Sequence, residues 1–367
     1  MGDPRSESPK VKTPSPRRSP KSASPRDPSS TQDPTDAPLV ADTEDVGDTV
    51  DGDSTYESVM SSSASMASSI FRHRQENGRT YHAYKELKYI MPNDEAENDR
   101  LDLQHHIFSL TYDGALHSCP AGKDPTKPLR RVLDAGTGTG IWAIDFADEH
   151  PETHVIGIDL SPIQPAFVPP NLSFYIDDLE EPWTFSEKFD FIYCRFLTGS
   201  IGNWPKFMET AYENLSPGGW IEIADIMSPI DCDDGTLTED TPLLKWSTLL
   251  LQAAGQLGRP IDSARLYKQQ LLDAGFTNVM ERVHKWPQNA WAKDKKHKEI
   301  GAWSELNLPK CSTHEASPFF TRGRPGPRKR SRSSLLMLRK DIKEQVHSLP
   351  YWPIWIVYAE KPEAEKA

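Results

Sequence analysis

Short apolar runs alternate with segments of helical periodicity through the middle of the chain. A continuous apolar run is typical of a buried strand, whereas apolar residues three and four apart predict an amphipathic helix. The runs predict strands near residues 130–135, 154–159, 172–176, 189–194 and 219–225. The helical spacing predicts helices near residues 140–149, 203–215 and 240–257. Such alternation favours an α/β domain whose parallel sheet is covered by helices on both faces.

The last third of the chain predicts one more helix and two more strands. Residues 266–274 have a helical pattern, and Gly275 suits the left-handed turn that commonly ends a helix. Residues 277–286 and 352–360 predict strands. A helical pattern also covers residues 55–106, where Tyr81, Tyr84 and Leu87 are spaced for one face of a helix. Residues 95–108 predict a second helix. The sequence therefore predicts a helical segment ahead of the sheet.

Residues 1–55 lack apolar periodicity and predict a disordered tail, because they cannot bury enough surface to offset the entropy of ordering. Residues 1–26 hold seven lysines and arginines against two acids, and residues 27–53 hold nine acids and neither basic residue. The basic half repeats Ser/Thr-Pro at Ser8, Thr13, Ser15, Ser19 and Ser24. These sites predict either a plain solvated tail or a phosphorylation cluster that tunes partner binding or nuclear import.

Composition and net charge limit the partners and the cellular compartment that we expect for this protein. The formal net charge of −12 argues against general nucleic-acid binding, so nucleic acid is unlikely as a direct partner. The four cysteines show no C-x-x-C pair and no metal spacing, which indicates reduced thiols, an intracellular protein of the cytoplasm or nucleus, and no metal. No apolar run approaches the roughly 20 residues that a membrane span needs, so we expect no membrane contact.

The most specific chemical signal is the turn after the first predicted strand, where residues 133–140 read LDAGTGTG. Glycine lets a backbone approach a ligand closely, and the following helix offers free N–H groups. Asp159 ends the second predicted strand, where a carboxylate can bind ribose hydroxyls. A dinucleotide fingerprint would place its third glycine at Ile141. The unit therefore predicts a nucleotide-type cofactor, and a nicotinamide or nucleotide-sugar enzyme is the disfavoured alternative.

Five segments, in order, resemble the motifs of the class I S-adenosylmethionine-dependent methyltransferases. They are residues 133–140, 155–161 (VIGIDLS), 174–180 (FYIDDLE), 189–195 (FDFIYCR) and 215–223 (LSPGGWIEI). Three further segments resemble the fungal LaeA-like methyltransferases, namely residues 194–201 (CRFLTGSI), 203–205 (NWP) and 351–355 (YWPIW). The resemblance extends from about residue 56 to residue 362.

The resemblance implies a Rossmann-like, seven-stranded methyltransferase sheet with helices on both faces. It implies a methyltransferase domain over residues 121–362 and an N-terminal helical cap over residues 56–120, on the cofactor and substrate side. In that cap Tyr81 and Tyr84 would either pack in the core or contact the methionine end of the cofactor.

The implied function is transfer of a methyl group from S-adenosyl-L-methionine to an unidentified small-molecule or protein acceptor in fungal secondary metabolism. A sulfonium methyl is already activated, so alignment is the main demand on the protein. LaeA-like proteins include regulators of metabolite gene clusters that work with protein partners. A regulatory protein with weak or no acceptor turnover is therefore the alternative.

The resemblance also implies the cofactor-binding residues. They are Asp134, Gly136, Thr137, Gly138, Gly140, Asp159, Leu160, Asp177, Asp178, Leu179 and Arg195. The three glycines would allow close backbone approach. Asp134 would hold the amino end of the cofactor, directly or through water, and Asp159 would accept hydrogen bonds from the ribose hydroxyls.

The remaining roles are less specific. Asp177 or Asp178, with the Leu179 backbone, would lie beside the adenine amino group. Arg195 follows the fourth strand, where it could face the methionine carboxylate or the acceptor, or form a surface ion pair. No general base is identifiable. His105, His106, Glu222 and Asp225 are candidates by rough position only.

One segment departs from the family pattern. Residues 309–334 are rich in Pro, Arg and Ser and have no helical pattern, although LaeA-like proteins usually have helices there. Back-translation of residues 325–334 in another frame can give a helix-like sequence, so we hypothesise a frame shift in the gene or its model. The alternatives are a basic localisation or nucleic-acid patch at residues 322–332 and a disordered insert.

Overall fold

The computed structural model describes residues 73–76, 79–82, 91–314 and 349–363. The chain divides into two units, Met1–Asp53 and Ser54–Ala367, and all of the described residues belong to the second unit. The predicted tail and its Ser/Thr-Pro sites lie outside the described residues.

A hairpin and a helix precede the main sheet. Strands β1 (His73–Glu76) and β2 (Arg79–His82) pair antiparallel. The predicted helical pattern is therefore wrong at Tyr81, which lies in β2, while Tyr84 and Leu87 lie outside the described residues. Helix α1 (Glu95–Thr111) confirms the second predicted helix, and the Asp94 side chain caps it by accepting from the Glu97 N–H at 3.1 Å.

The first half of the main sheet is parallel, as the alternating pattern predicts. Its elements are β3 (Arg131–Ala135), α2 (Ile141–Glu149), β4 (His154–Asp159), β5 (Leu172–Ile176), β6 (Phe189–Arg195), α3 (Trp204–Asn214) and β7 (Leu215–Ile226). Strands β4, β3, β6 and β7 pair parallel in that spatial order, with β5 beside β4. Their carboxyl ends therefore meet at one edge of the sheet, where α/β proteins bind ligands.

The second half adds antiparallel strands. Its elements are β8 (Asp231–Cys232), α4 (Pro242–Gln256), a 3₁₀ turn (Ser263–Leu266), α5 (Tyr267–Asp273), β9 (Thr277–Pro287), α6 (Lys295–His314) and β10 (Pro350–Glu360). Strand β10 pairs with β7 on one side and with β9 on the other. The seven predicted strands are confirmed, and the two-residue strand β8, which pairs with the start of β10, is an addition.

Helix α6 corrects part of one prediction. Residues 309–314 belong to this helix, although the sequence predicts no helical pattern there. Residues 315–334 lie outside the described residues, and so do the frame-shift hypothesis for 325–334 and the basic patch at 322–332.

Successive residues of each central strand bury opposite faces, which explains the two helical layers. On β3, Leu133 belongs to the core cluster that contains Met208 of α3, whereas Val132 belongs to the cluster that contains Trp142 and Phe146 of α2. The β3 residues from Val132 to Ala135 are buried on both faces, as expected for a central parallel strand. Among the described residues, no helix is both long and apolar enough to cross a lipid bilayer.

Candidate functional site

The glycine-rich turn after β3 is tied to the neighbouring strand β4. The backbone N–H groups of Gly136 and Thr137 both donate to the Ile158 carbonyl, at 2.9 and 2.8 Å. Gly140 caps α2 with φ of +84°, and a Cβ atom there would overlap the Phe174 ring. Only glycine adopts this conformation in this space without strain. The turn therefore holds its backbone close to the sheet edge.

Asp159 holds the other side of the turn. Its Oδ2 accepts from the Gly138 N–H at 2.9 Å, and its Oδ1 accepts from the Ser161 N–H at 2.9 Å. Burial raises the pKa of Asp159, and these backbone hydrogen bonds oppose that rise. The Leu160 N–H is a third backbone donor to this carboxylate, which leaves one of its four lone pairs for a ligand. The side chain is thus fixed by backbone donors and keeps acceptor capacity beside the cleft.

An open cleft lies beside Asp159. Its lining residues are Gly136, Asp159, Leu160, Asp177, Asp178, Leu179, Glu180, Leu197, Ser200 and Ile201. The first six were predicted from the sequence, and the structure brings them together. Glu180, Leu197, Ser200 and Ile201 were missed as site residues.

The missed residues 197–201 belong to the loop after β6. Phe196 enters this loop with φ of +56°, unusual for a residue with a side chain, and its N–H donates to the Ala224 carbonyl at 2.9 Å. Leu197 then covers Gly136, where any Cβ would overlap the Leu197 side chain. The sequence signal was the 194–201 run that resembles the family, but side-chain directions there depend on the turn at Phe196.

An ion pair lies beside the cleft, at Glu180. Arg259 Nη1 donates to Glu180 Oε2 at 2.7 Å and to the Ser200 carbonyl at 2.7 Å. Glu180 Oε1 accepts from the Gly202 N–H at 2.8 Å. The pair is mostly buried, and it joins the loop after β5 to the loop after β6.

The other predicted residues lie outside the cleft lining. Asp134 is buried behind the turn and accepts from the Thr137 hydroxyl at 2.6 Å. Burial raises the pKa of Asp134 to about 6, against the Thr137 hydrogen bond and the nearby positive charge of Arg195. The Gly138 carbonyl accepts from the Gln164 amide at 2.7 Å. The turn is therefore formed by Thr137, Gly138 and Gly140 and supported by the buried Asp134, and none of these four residues lines the cleft.

Arg195 lies at the end of β6 and contacts α1. Its Nη2 lies 3.1 Å from His105 Nδ1, and its guanidinium carbon lies 5.1 Å from the centre of the Phe108 ring. His105 Nε2 lies 2.9 Å from Asp145 Oδ2 on α2. Burial and the Arg195 charge lower the pKa of His105 to about 3, so the ring is neutral near pH 7.

Three of the four candidate bases are occupied by protein partners. His105 uses both ring nitrogens. Glu222 accepts from the Tyr112 hydroxyl at 2.9 Å and from the Ser118 and Cys119 N–H groups at 2.8 and 2.6 Å. Asp225 accepts from the Thr198 N–H and the Tyr267 hydroxyl at 3.0 and 2.6 Å. Each buried carboxylate thus anchors a neighbouring segment.

His106, the fourth candidate, packs edge-on against Trp303 with ring centres 4.9 Å apart. This contact places the His106 ring beside α6.

A possible metal-binding group among the described residues comprises His117, Cys119 and Glu222, whose ligand atoms lie within 4.8 Å of one another. Burial raises the pKa of the Cys119 thiol well above its usual value, and the Glu222 charge adds to the effect. A metal needs a thiolate, and Glu222 already accepts three protein hydrogen bonds. The donor set therefore suits an anchor for residues 118–119 better than a metal.

Comparisons with known proteins agree with this geometry. Residues 103–281 match the family described as "Methyltransferase domain". "Methyltransferase pytC" of Aspergillus terreus is 38% identical over 262 residues, which are 71% of this chain and 80% of that protein. "Secondary metabolism regulator LAE1" of Cochliobolus heterostrophus is 43% identical over 237 residues, 64% of this chain and 76% of that protein.

A third relative carries a more specific name. "Protein-methionine methyltransferase laeA" of Emericella nidulans is 35% identical over 296 residues, 78% of this chain and 76% of that protein. The fold and the matches define a class I S-adenosylmethionine-dependent methyltransferase. Within that class, the chain belongs to the LaeA-like family of fungal methyltransferases, which confirms the resemblance seen in the motifs.

Proposed function

We propose that this protein transfers a methyl group from S-adenosyl-L-methionine, which binds in the cleft beside Asp159. The observation that carries the proposal is the Asp159 carboxylate, which is fixed by the Gly138 and Ser161 N–H groups and lines the cleft. When bound, the cofactor supplies a methyl group already activated on sulfur. The task left to the protein is to bind and align the two reactants.

The described residues fit an adenosine group. Asp159 keeps acceptor capacity for a ribose hydroxyl. Asp177 and Asp178 follow β5 directly, and with Leu179 they line the same cleft, where they would face the adenine. Gly136 meets the cleft with backbone alone, beside the Leu197 side chain.

We further propose that the acceptor atom carries no proton that must be removed, and that it is the thioether sulfur of a protein methionine. His105, Glu222 and Asp225 are each held by protein partners, so they support alignment rather than proton removal. A thioether gains a methyl group without losing a proton. The relative of Emericella nidulans is named for methionine methylation, which supports this acceptor class.

The experiment is incubation of the purified protein with S-adenosyl-L-methionine labelled in its methyl group, with and without fungal protein extract. We expect label on protein, located on methionine by peptide mass spectrometry, and loss of labelling in Asp159→Asn. Label only in small molecules would overturn the methionine acceptor while it keeps the methyltransferase. No transfer to any acceptor, with intact cofactor binding, would favour the second candidate.

The second candidate is a regulator of metabolite gene clusters that acts through protein partners with weak or no turnover. The observation in its favour is the relative of Cochliobolus heterostrophus, which is named a secondary metabolism regulator. Loss of metabolite production on deletion of the gene, restored by a variant that binds cofactor but transfers no methyl group, would support it.

A further inference from the structure

Three side chains from three elements form a chain of hydrogen bonds next to the glycine-rich turn. Arg195 at the end of β6 contacts His105 on α1, and His105 contacts Asp145 on α2. Helix α2 begins directly after the glycine-rich turn. These contacts therefore connect the end of β6 to helix α2, which begins directly after the turn.

The direction of the hydrogen bonds follows from the donors. A guanidinium has only N–H donors, so His105 Nδ1 must be the acceptor, 3.1 Å from Arg195 Nη2. The ring proton then lies on Nε2, 2.9 Å from Asp145 Oδ2. Asp145 thereby selects the tautomer in which His105 can accept from Arg195.

The Arg195 guanidinium has more N–H donors than its described protein partner uses. Among the described residues, Arg195 makes no ion pair, and His105 is its one hydrogen-bond partner given by the structure. The face of its guanidinium lies over the Phe108 ring, 5.1 Å from the centre. This arrangement disfavours the surface ion pair and leaves the other N–H groups for a ligand.

The place of Arg195 suggests which ligand group it meets. Strand β6 is next to β3, so Arg195, the last residue of β6, lies at the end of the strand beside the one that leads into the glycine-rich turn. The Arg195 charge is felt by Asp134, at the end of β3, where it opposes the rise in pKa caused by burial. A guanidinium that spans two donors matches a carboxylate, and the cofactor has one at its methionine end.

We propose that His105 and Asp145 are positioning residues, which hold the Arg195 guanidinium in place for the carboxylate of the cofactor. The proposal rests on the proposed function. Asp145 orients the His105 ring, His105 and Phe108 orient Arg195, and Arg195 alone touches the ligand.

Two probes test the proposal by calorimetric titration of the full chain. They are S-adenosyl-L-methionine and its decarboxylated form, which lacks the carboxylate and keeps the adenosine and the amine. The measured quantity is the ratio of the two dissociation constants. Arg195→Met should lower the preference for the carboxylate form by about tenfold or more, since a charge-assisted bidentate contact is lost.

His105→Ala should lower the same ratio several-fold, and Asp145→Ala should lower it less, because each acts through Arg195. His105→Gln, whose amide can accept from Arg195, should restore part of the ratio. In the Arg195→Met background, His105→Ala should change the ratio no further. The matched control is His297→Ala, since His297 is also paired with an aspartate, Asp294, but is exposed on α6.

Unchanged discrimination in a folded His105→Ala or His105→Gln variant would overturn the proposal, and so would equal weakening of both probes. If the wild type binds both forms equally, Arg195 does not bind the carboxylate and the proposal is wrong while cofactor binding stands. If the wild type binds neither form, the proposed function itself fails.

Discussion

The Asp159 carboxylate accepts a hydrogen bond from the Gly138 N–H at 2.9 Å and so joins the end of β4 to the turn after β3. The same carboxylate lines the cleft. One side chain therefore fixes the shape of the turn and presents an acceptor to the ligand, so turn geometry and cofactor affinity are coupled.

The first prediction concerns the space around Gly140. Gly140→Ala places a Cβ on a residue with φ of +84° and against the Phe174 ring. We expect a loss of about 1–2 kcal/mol for the left-handed backbone and about 1–3 kcal/mol for the overlap. Urea denaturation measures the free energy of unfolding.

The control for this prediction is Gly114→Ala. Gly114 has φ of +87° and nothing within 4 Å of an added Cβ. It should show the backbone term alone. Equal destabilisation by the two variants would mean that the Phe174 ring moves aside freely and does not define the turn.

The second prediction concerns the ion pair between Arg259 and Glu180, beside the cleft. Arg259→Met leaves Glu180 without the guanidinium that also holds the Ser200 carbonyl. Loss of the charged partner of this mostly buried carboxylate costs about 1–3 kcal/mol, although the Gly202 N–H still donates to it, and we expect about tenfold weaker cofactor binding as the two cleft loops separate. Calorimetric titration measures the affinity.

Arg265→Met is the matched control, because Arg265 pairs with Asp262 on the surface, away from the cleft lining. Its cofactor affinity should equal that of the wild type. If Arg259→Met also binds the cofactor normally, the ion pair does not maintain the cleft.

The third prediction concerns pH. Burial raises the pKa of Asp225 from 3.8 to about 7, despite hydrogen bonds from Tyr267 and Thr198. Between these values the folded protein holds a proton that the unfolded chain has released, so this contribution to stability is complete below about pH 4 and is lost as the pH rises towards 7.

The Asp225→Asn variant has no carboxyl group that can bind or release a proton at this position. The stability of the wild type relative to this variant should fall as the pH rises from 4 to 7, by at most about 1.4 kcal/mol per pH unit. Denaturation curves at a series of pH values measure the difference. The exposed Asp148→Asn serves as control, and a difference that stays flat for Asp225→Asn would show that the group is ionised throughout.

The sequence predicts the elements of the sheet well, because buried parallel strands carry continuous apolar runs and each is separated by a helix or a turn. It fails at Tyr81, since a spacing of three and four residues over a short stretch also fits a hairpin strand in which backbone pairing with β1 decides the structure. It fails at residues 309–314, where the helix α6 continues through a segment whose composition disfavours it.

The candidate site likewise contains residues that the sequence predicts and residues that it does not. Asp159 ends β4, and Asp177 and Asp178 directly follow β5, so their place at the sheet edge follows from the topology. Leu197 and Ser200 reach the cleft only because the chain turns at Phe196 with positive φ, and Arg259 arrives from a distant loop. Such contacts depend on tertiary packing, which local periodicity does not encode.

The central claim is that Asp159 binds the cofactor, and calorimetric titration of the wild type and Asp159→Asn with S-adenosyl-L-methionine tests it most directly. Asparagine keeps the size of the side chain but loses the charge and one acceptor. We predict binding by the wild type and an affinity about 10- to 100-fold lower in the folded variant. Equal affinity of the two folded proteins would contradict the account.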